Sequence, residues 1–457
     1  MSLAELEKKI LEVEIERLLP GGVGLAHAEG LTLFVSLAAP GDVLRVVIDR
    51  IQGKVGFASI IEILKPSPLR VEPPCPYFGR CGGCDFQQLT YEAQLDAKVE
   101  IIRDCLHRIA KIDISLDIAI HHSPNQWHYR ARAMWQVDSN ETLLGYFERG
   151  SNRVCDVEYC AVLVPELQTT LGHVRNEIRA ETASERLREI EVVAGDEAVS
   201  VAPPLAGFKT DIVSRVIGNE TYHFSAEAFF QINHELLEPL IAEAMRHANR
   251  AEHALKEDAL GETNGDPSGA AKGETAIDLY CGVGLFTLPL ARRFERVIGV
   301  EGSARATEFA RRNLESAKRA SSTTPESPAG QPGWGGRVRE GVNRKLGDVE
   351  VISVRVGDWL KQHSRSFGPV DFLLLDPPRS GCENAVIAGI LALRPAQITY
   401  VSCDPATLAR DLKKLIAGGY SIDSVVAFDM FPQTHHVETI AHLSSNTTDA
   451  VDFSEAA

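Results

Sequence analysis

No stretch of the 457-residue chain is apolar for the ~20 residues a membrane span needs. The opening residues, MSLAELEKKILEVEIERLL, are charged throughout, where a secretory leader has a basic start and an apolar core. Neither a leader nor a membrane partner is expected. Positive charge is scarce as well: 47 Lys and Arg stand against 63 Asp and Glu, a net charge of −16. Phosphate contacts need cations, so this balance weighs against binding nucleic acid over the whole surface. It leaves room for a local groove, because Arg130, Arg132, Arg149, Arg153, Lys413 and Lys414 fall in short basic stretches. The nine cysteines are an odd number, and without a leader a disulfide framework is not expected. Any cysteine cluster then reads as metal binding or catalysis. With 44% hydrophobic and 24% charged residues, the expectation is a globular cytoplasmic enzyme of two to four domains.

What is present falls into three zones. Residues 10–66 carry about five short β-segments between turns, the pattern of a small barrel. The Pro-rich join PSPLRVEPPCP marks a boundary, and residues 127–215 read as mixed and strand-rich. From about 221, apolar strands alternate with amphipathic helices, which predicts a doubly wound parallel sheet. Residues 252–273 and 319–347 read as flexible insertions, and the tail 446–457 as disordered. The predicted division is 1–68, 69–220 and 221–445.

In AIDLYCGVGLF a glycine loop follows a strand that Asp278 ends; Gly282 and Gly284 let backbone approach a ligand, while Cys281 reads as a packing residue. Glu301, ending the next strand, suits two ribose hydroxyls, and Asp358, read as the end of the third, suits an adenine amino group. The loop lacks the third glycine of the dinucleotide pattern, which favours S-adenosylmethionine over NAD.

Two further strands end at catalytic residue types: DFLLLDPPR at Asp376 and ITYVSC at Cys403. A thiol beside a methyl donor suits methylation of a pyrimidine C5. That carbon is a poor nucleophile until a thiolate adds at C6, and a base must later remove the C5 proton so that the thiol can leave. MFPQTHHVETI offers Glu438, His435 and His436 as that base. A lone strand-end cysteine is usually a small buried hydrophobe, so the neighbouring motifs carry the argument. A fourth motif, CPYFGRCGGCDFQQ, brings Cys75, Cys81 and Cys84 within ten residues, with Cys155 or Cys160 as a fourth thiol. Zinc and a [4Fe–4S] cluster both accept four cysteines.

Taken together, CPYFGRCGGCDFQQ, FFQIN, DLYCGVGLF, DPPRSG, YVSCDPATLARD and MFPQTHHVET make the chain resemble the bacterial uracil-C5 RNA methyltransferases, in particular the iron–sulfur 23S rRNA enzymes. The resemblance implies an α/β fold: a Rossmann-like catalytic domain, an N-terminal TRAM barrel of OB type that helps bind RNA, and a central α+β domain with the cluster. It implies a [4Fe–4S] cluster on Cys75, Cys81, Cys84 and Cys160. It assigns Gln231, Tyr280, Leu285, Glu301, Asp358 and Asp376 to the S-adenosylmethionine pocket, Cys403 to the nucleophile and Glu438 to the base. The Phe229–Phe230 pair would help hold a target base extruded from its stack. A monomer is expected, with 23S rRNA as substrate ahead of tRNA, because the tRNA enzymes implied by the resemblance lack both barrel and cluster. A DNA cytosine-C5 enzyme would carry its nucleophile in a Pro-Cys pair, which Cys403 does not form. A non-catalytic RNA-binding or assembly factor that keeps the fold would have no need of Cys403, Asp376 and Glu438 together.

Overall fold

A computed structural model describes residues 8–113, 117–138, 140, 142–180, 187–205, 207–248, 273–322 and 345–446. Of the two segments read as insertions, 252–272 and 323–344 lie outside the described residues, as does the tail from 447. None of the described helices is long and apolar enough to cross a membrane.

Six strands build the N-terminal unit: β1 (Ile10–Glu14), β2 (Arg17–Leu19), β3 (Val23–Ala28), β4 (Leu31–Val35), β5 (Val43–Gln52) and β6 (Val55–Lys65). Their order is β1-β5-β6-β4-β3-β2. Period-2 alternation turns Leu33, Val35, Leu44, Val46 and Ile48 inward into one core. This barrel-like sheet is docked on the rest of the chain. Gly22, at φ +72° in the β2–β3 turn, lies so close to His435 and Phe86 that an added Cβ would sit 3.0 and 3.1 Å from them.

The cysteine loop follows, then α1 (Tyr91–Cys105), N-capped by Thr90, and the short strand β7 (Ala119–His121). The central sheet comprises β8 (Arg132–Asp138), β9 (Leu143–Phe147), β10 (Val154–Asp156), β11 (Glu189–Ala194) and β12 (Val199–Ala202), antiparallel in the order β10-β9-β8-β11-β12. Helix α2 (Pro165–Arg179) lays Leu167, Leu171 and Val174 on its Trp135, Ile190 and Val192. A hairpin of β13 (Val213–Ile217) and β14 (Glu220–Phe224) and helix α3 (Leu237–Ala244) lead onward.

The C-terminal half is the expected alternation: β15 (Gly273–Leu279), α4 (Thr287–Ala291), β16 (Phe294–Glu301), α5 (Ala304–Ser322), β17 (Asp348–Ser353), α6 (Val356–His363), β18 (Phe372–Leu375), α7 (Asn384–Leu393), β19 (Gln397–Ser402), α8 (Pro405–Ala417), β20 (Tyr420–Phe428) and β21 (Glu438–Ser445). The sheet runs β17-β16-β15-β18-β19-β21-β20-β7. Its first five strands are parallel, β21 enters antiparallel between β19 and β20, and β7 extends the far edge. Strand order reverses between β15 and β18, which opens a crevice at their carboxyl ends. Asp358 departs from expectation: the third strand stops at Ser353, so Asp358 stands in the first turn of α6 rather than at a strand end.

A buried polar network locks the N-terminal part to the C-terminal loop that precedes β21. The Lys98 ammonium and the Asp429 carboxylate are both inaccessible to solvent and form an ion pair. Lys98 also donates to Phe431 O at 3.0 Å, and Tyr91 Oη to Asp429 at 2.8 Å. Gln94 exchanges two bonds with Gln433. Removing one partner of such a pair costs about 3–5 kcal/mol, because the other charge stays buried. Lys98→Met is therefore expected to lower chemical stability by that amount, and Lys98→Met with Asp429→Leu to recover most of it. A loss below about 1 kcal/mol in urea unfolding for the single variant would show that the pair is dispensable.

Candidate active site and cysteine cavity

The crevice at the strand ends is a cavity of about 1350 Å³. One side is the loop after β15. Tyr280 takes a left-handed conformation, φ +63°, and its N–H and that of Cys281 donate to Val300 O. The turn brings Gly282 N to 3.1 Å from Glu301 Oε2, while Ser303 N holds Oε1 at 2.7 Å. Glu301 is thus fixed at the end of β16 with acceptor capacity left on both oxygens. Tyr280, Gly282, Leu285, Glu301, Asp358 and Gln231 all line the cavity.

Gly284 does not line it. At φ +87° it faces α5, where a Cβ would sit 3.4 Å from Ala310, so this glycine serves helix packing rather than ligand approach. Cys281 is buried against Gly299. Asp278 is inaccessible to solvent and takes a 2.6 Å bond from Thr287 Oγ1; burial pushes its carboxyl up to about 8.

Across the cavity lie Asp376, Cys403 and Glu438. Cys403 sits where β19 stops. Asp404 caps α8 by accepting from Thr407 N at 2.8 Å, and Pro405 fills the first helical position, so the strand turns sharply into the helix at the thiol. Burial, then the charge of Glu438, pushes this thiol up to about 12. Glu438 opens β21 and is 3% exposed; burial and the neighbouring Asp376 carboxylate hold it well above the usual range. Burial pushes Asp376 up to about 7. The two histidines considered for the base are placed elsewhere. Asp85 accepts from both the backbone N and the ring of His435. His436 does not line the cavity, and burial pushes it down to about 3, which keeps it neutral.

Sequence reasoning missed Arg379, although it lies inside DPPRSG. It lines the cavity, and its positive charge opposes the upward shifts of both Cys403 and Glu438. Its loop is held by the buried Asp411, which accepts from Cys382 N at 2.8 Å and Tyr400 Oη at 2.9 Å. Arg410 reaches the carbonyls of Ser380 and Cys382 from the same helix. The aromatic pair is split. Both line the cavity, but Phe229 is 58% exposed, whereas Phe230 is buried and stacked 4.0 Å from Phe224.

Most cations of the basic stretches have partners within the chain. Arg132 pairs with Glu191 and binds the Ala226 and Ala228 carbonyls. Arg149 binds Cys84 O, Arg153 pairs with Glu148, and Lys414 binds Asn384. Arg130 faces a second cavity, of about 60 Å³, lined also by Cys75, Cys81, Cys84 and Cys160. Cys155 lies outside it, buried in β10 with Arg80 Nε at 3.3 Å. Burial pushes Cys81 and Cys84 up to about 12. Among the described residues no group of three or more His, Cys, Asp or Glu is gathered as a metal-ion site; the four thiols surround a space instead of meeting at a point.

A family model described as tRNA (Uracil-5-)-methyltransferase matches residues 267–321 and 362–446. A 23S rRNA (uracil(1939)-C(5))-methyltransferase, RlmD, of Thiobacillus denitrificans is 33% identical over 92% of this chain and 96% of its own. An uncharacterized RNA methyltransferase of Halalkalibacterium halodurans is 30% identical over 95% of this chain and 96% of its own. Among solved structures, the Pyrococcus abyssi tRNA (uracil-54, C5)-methyltransferase in complex with S-adenosyl-L-homocysteine overlays with a TM-score of 0.66 at 24% identity, covering 94% of this chain and 99% of that one. That likeness is one of fold. Its coverage reaches into the N-terminal barrel, so a barrel does not by itself separate rRNA enzymes from tRNA enzymes.

Removing either neighbouring carboxylate removes negative charge beside the Cys403 thiol and so lowers its pKa. Glu438→Gln and Asp376→Asn are each expected to speed iodoacetamide alkylation of Cys403 at pH 8 several-fold over wild type, read by peptide mapping. Unchanged rates in both variants would show that these acids do not govern the thiol.

Proposed function

The chain belongs to the S-adenosylmethionine-dependent RNA uracil-C5 methyltransferases, and we propose that its substrate is one uridine of 23S rRNA. The observation that carries the chemistry is a single cavity shared by a thiol, two carboxylates and a glycine loop. The choice of RNA rests on the near full-length likeness to 23S rRNA enzymes. A tRNA uridine is the second reading, favoured by the fold of the archaeal tRNA enzyme.

In the proposed reaction the target uridine leaves its stack and enters beside Phe229. The Cys403 sulfur forms a bond to C6, which makes C5 nucleophilic. C5 then takes the methyl group from the sulfonium, and S-adenosylhomocysteine is the leaving product. Glu438 accepts the C5 proton, the C5–C6 double bond re-forms, and the C6–S bond breaks. The raised proton affinity of the Cys403 thiol works against thiolate formation, so a neighbour must take its proton while Glu438 stays free for the C5 proton. A thiol proton passes to a neighbouring carboxylate without leaving the low-dielectric cleft, and a buried carboxylate is a strong proton acceptor. Gln231, Tyr280, Gly282, Leu285, Glu301, Asp358 and Asp376 are the proposed cofactor contacts. Gly284 acts only by setting the loop.

The barrel of residues 1–68 is proposed as a TRAM-type RNA-binding unit, and 69–220 as the unit that holds a [4Fe–4S] cluster on Cys75, Cys81, Cys84 and Cys160. Residues 221–445 are proposed as the catalytic unit of a cytoplasmic monomer. Four thiols lining one small cavity suit a polynuclear centre better than one zinc ion, whose sulfurs all lie about 2.3 Å from the metal. Such a centre would order the loop from Cys75 to Phe86, whose Asp85 and Phe86 hold the Gln433–His435 backbone. The chemistry above does not need its redox activity.

RNA containing 5-fluorouridine tests the reading, because fluorine blocks elimination and leaves the adduct in place. With S-adenosylmethionine, a covalent complex is expected at Cys403 on 23S rRNA fragments and none on tRNA. Adducts on tRNA alone would reverse the substrate assignment. On ordinary RNA, Cys403→Ala is expected to lose turnover, and Glu438→Gln to lose about 10²–10⁴-fold while accumulating the methylated covalent intermediate. A fully active Cys403→Ala variant would eliminate the covalent route.

A further inference from the structure

Arg130 differs from most of the largely covered arginines, and Arg149, which binds the Cys84 carbonyl, is the other one with a sealed, unpartnered Nε and no salt-bridge carboxylate. Arg70 pairs with Asp42, Arg132 with Glu191, Arg175 with Asp156, Arg215 with Asp196 and Arg292 with Glu220. Among the described residues Arg130 has no carboxylate partner. Its Nε is sealed from solvent without a hydrogen-bond partner, and its guanidinium lies against Tyr129, Tyr146 and Cys84 on the wall of the cysteine cavity. The backbone allows no retreat: Arg130 N donates to Val162 O at 2.8 Å, and Arg130 O accepts from Val164 N at 3.1 Å. The Tyr146 hydroxyl is likewise buried without a partner, beside Cys160.

Arg130 is half-buried as a residue, but its Nε is sealed against the cavity wall, and positive charge facing that space without a counter-charge is disfavoured. Four neutral thiols supply none. Four thiolates on a 2+ core leave a net charge of −2, which one-electron reduction makes −3. We infer that Arg130 is the internal counter-charge of an anionic four-thiolate centre in this cavity, with the Tyr146 hydroxyl donating to the Cys160 sulfur. The inference rests on the cluster proposed above. It adds that the occupant is anionic and that these two residues set how firmly it is held and how readily it is reduced, because positive charge and hydrogen bonds at the sulfurs favour the reduced state.

The test uses the full chain as wild type, Arg130→Met, Arg130→Lys, Tyr146→Phe and, as a control, Arg153→Met, which removes an exposed cation outside the cavity. Each is reconstituted anaerobically with iron and sulfide. Iron content, the midpoint of the one-electron couple, iron loss to a chelator and melting temperature are measured, the last also after stripping. Arg130→Met is expected to shift the midpoint downward by about a tenfold change in the oxidised-to-reduced ratio, or 59 mV, and to lose iron several-fold faster. Tyr146→Phe shifts the midpoint the same way by less. Arg130→Lys retains most of the wild-type behaviour, and Arg153→Met all of it. In the stripped protein Arg130→Met melts no lower than wild type, because it removes an unpaired cation.

A wild-type midpoint and iron retention in Arg130→Met, or an equal fall in melting temperature loaded and stripped, would overturn the inference and leave a packing residue. If Arg130→Met takes up no iron, the stripped comparison decides. Wild type that takes up no iron overturns the cluster reading itself, and the inference with it.

Discussion

The site depends on one buried ion pair. Lys98 lies on α1 and Asp429 at the end of β20, and neither touches water. Two charges so placed need further hydrogen bonds, and Tyr91 supplies one to the carboxylate and the Phe431 carbonyl one to the ammonium. The pair fixes the start of the loop that ends at Glu438. From there the contacts continue: Gln433 on Gln94, His435 on Asp85, and the barrel turn at Gly22 against His435. The position of Glu438 is therefore set by the N-terminal third of the chain as well as by its own strand.

The electrostatics of the cleft follow from burial. Asp376, Glu438 and Cys403 each hold their protons more tightly than they would in water, and Arg379 opposes this for Glu438 and Cys403. In the proposed reaction a sulfonium enters beside these groups. Its positive charge favours their ionised forms, so cofactor binding and nucleophile activation become linked steps. In the empty cleft, burial favours the protonated thiol.

The parallel sheet was legible because apolar strands alternating with amphipathic helices admit few other folds, and Cys403, Asp376 and Glu301 all stand at or directly beyond strand ends. Where the pattern misled, the cause was direction rather than element type. Gly282 and Gly284 look alike in sequence, yet one faces the cavity and the other α5. Arg130 and Arg132 read as a basic patch, yet one meets thiols and the other a carboxylate and two carbonyls. Nothing in the helical spacing around Lys98 indicates that Asp429 lies opposite it. Asp358 was misplaced because β17 ends five residues before it and the chain turns at once into α6. A sequence shows which side chains are available at a sheet edge. It shows much less about which of two neighbours points inward when the partner lies hundreds of residues away.

Strand β21 enters the sheet between β19 and β20, and the loop before it reaches back 331 positions to Lys98. On a ribosome those partners emerge far apart in time. Until β21 is released, β19 and β20 have an open slot between them, and exposed strand edges of that kind invite wrong pairings. The nascent chain can complete its barrel and its parallel strands early, but it has no closed cleft until β21 is made. Contacts of such long range also make the final step slow. A chain truncated before β21 would thus be incomplete in sheet and site together.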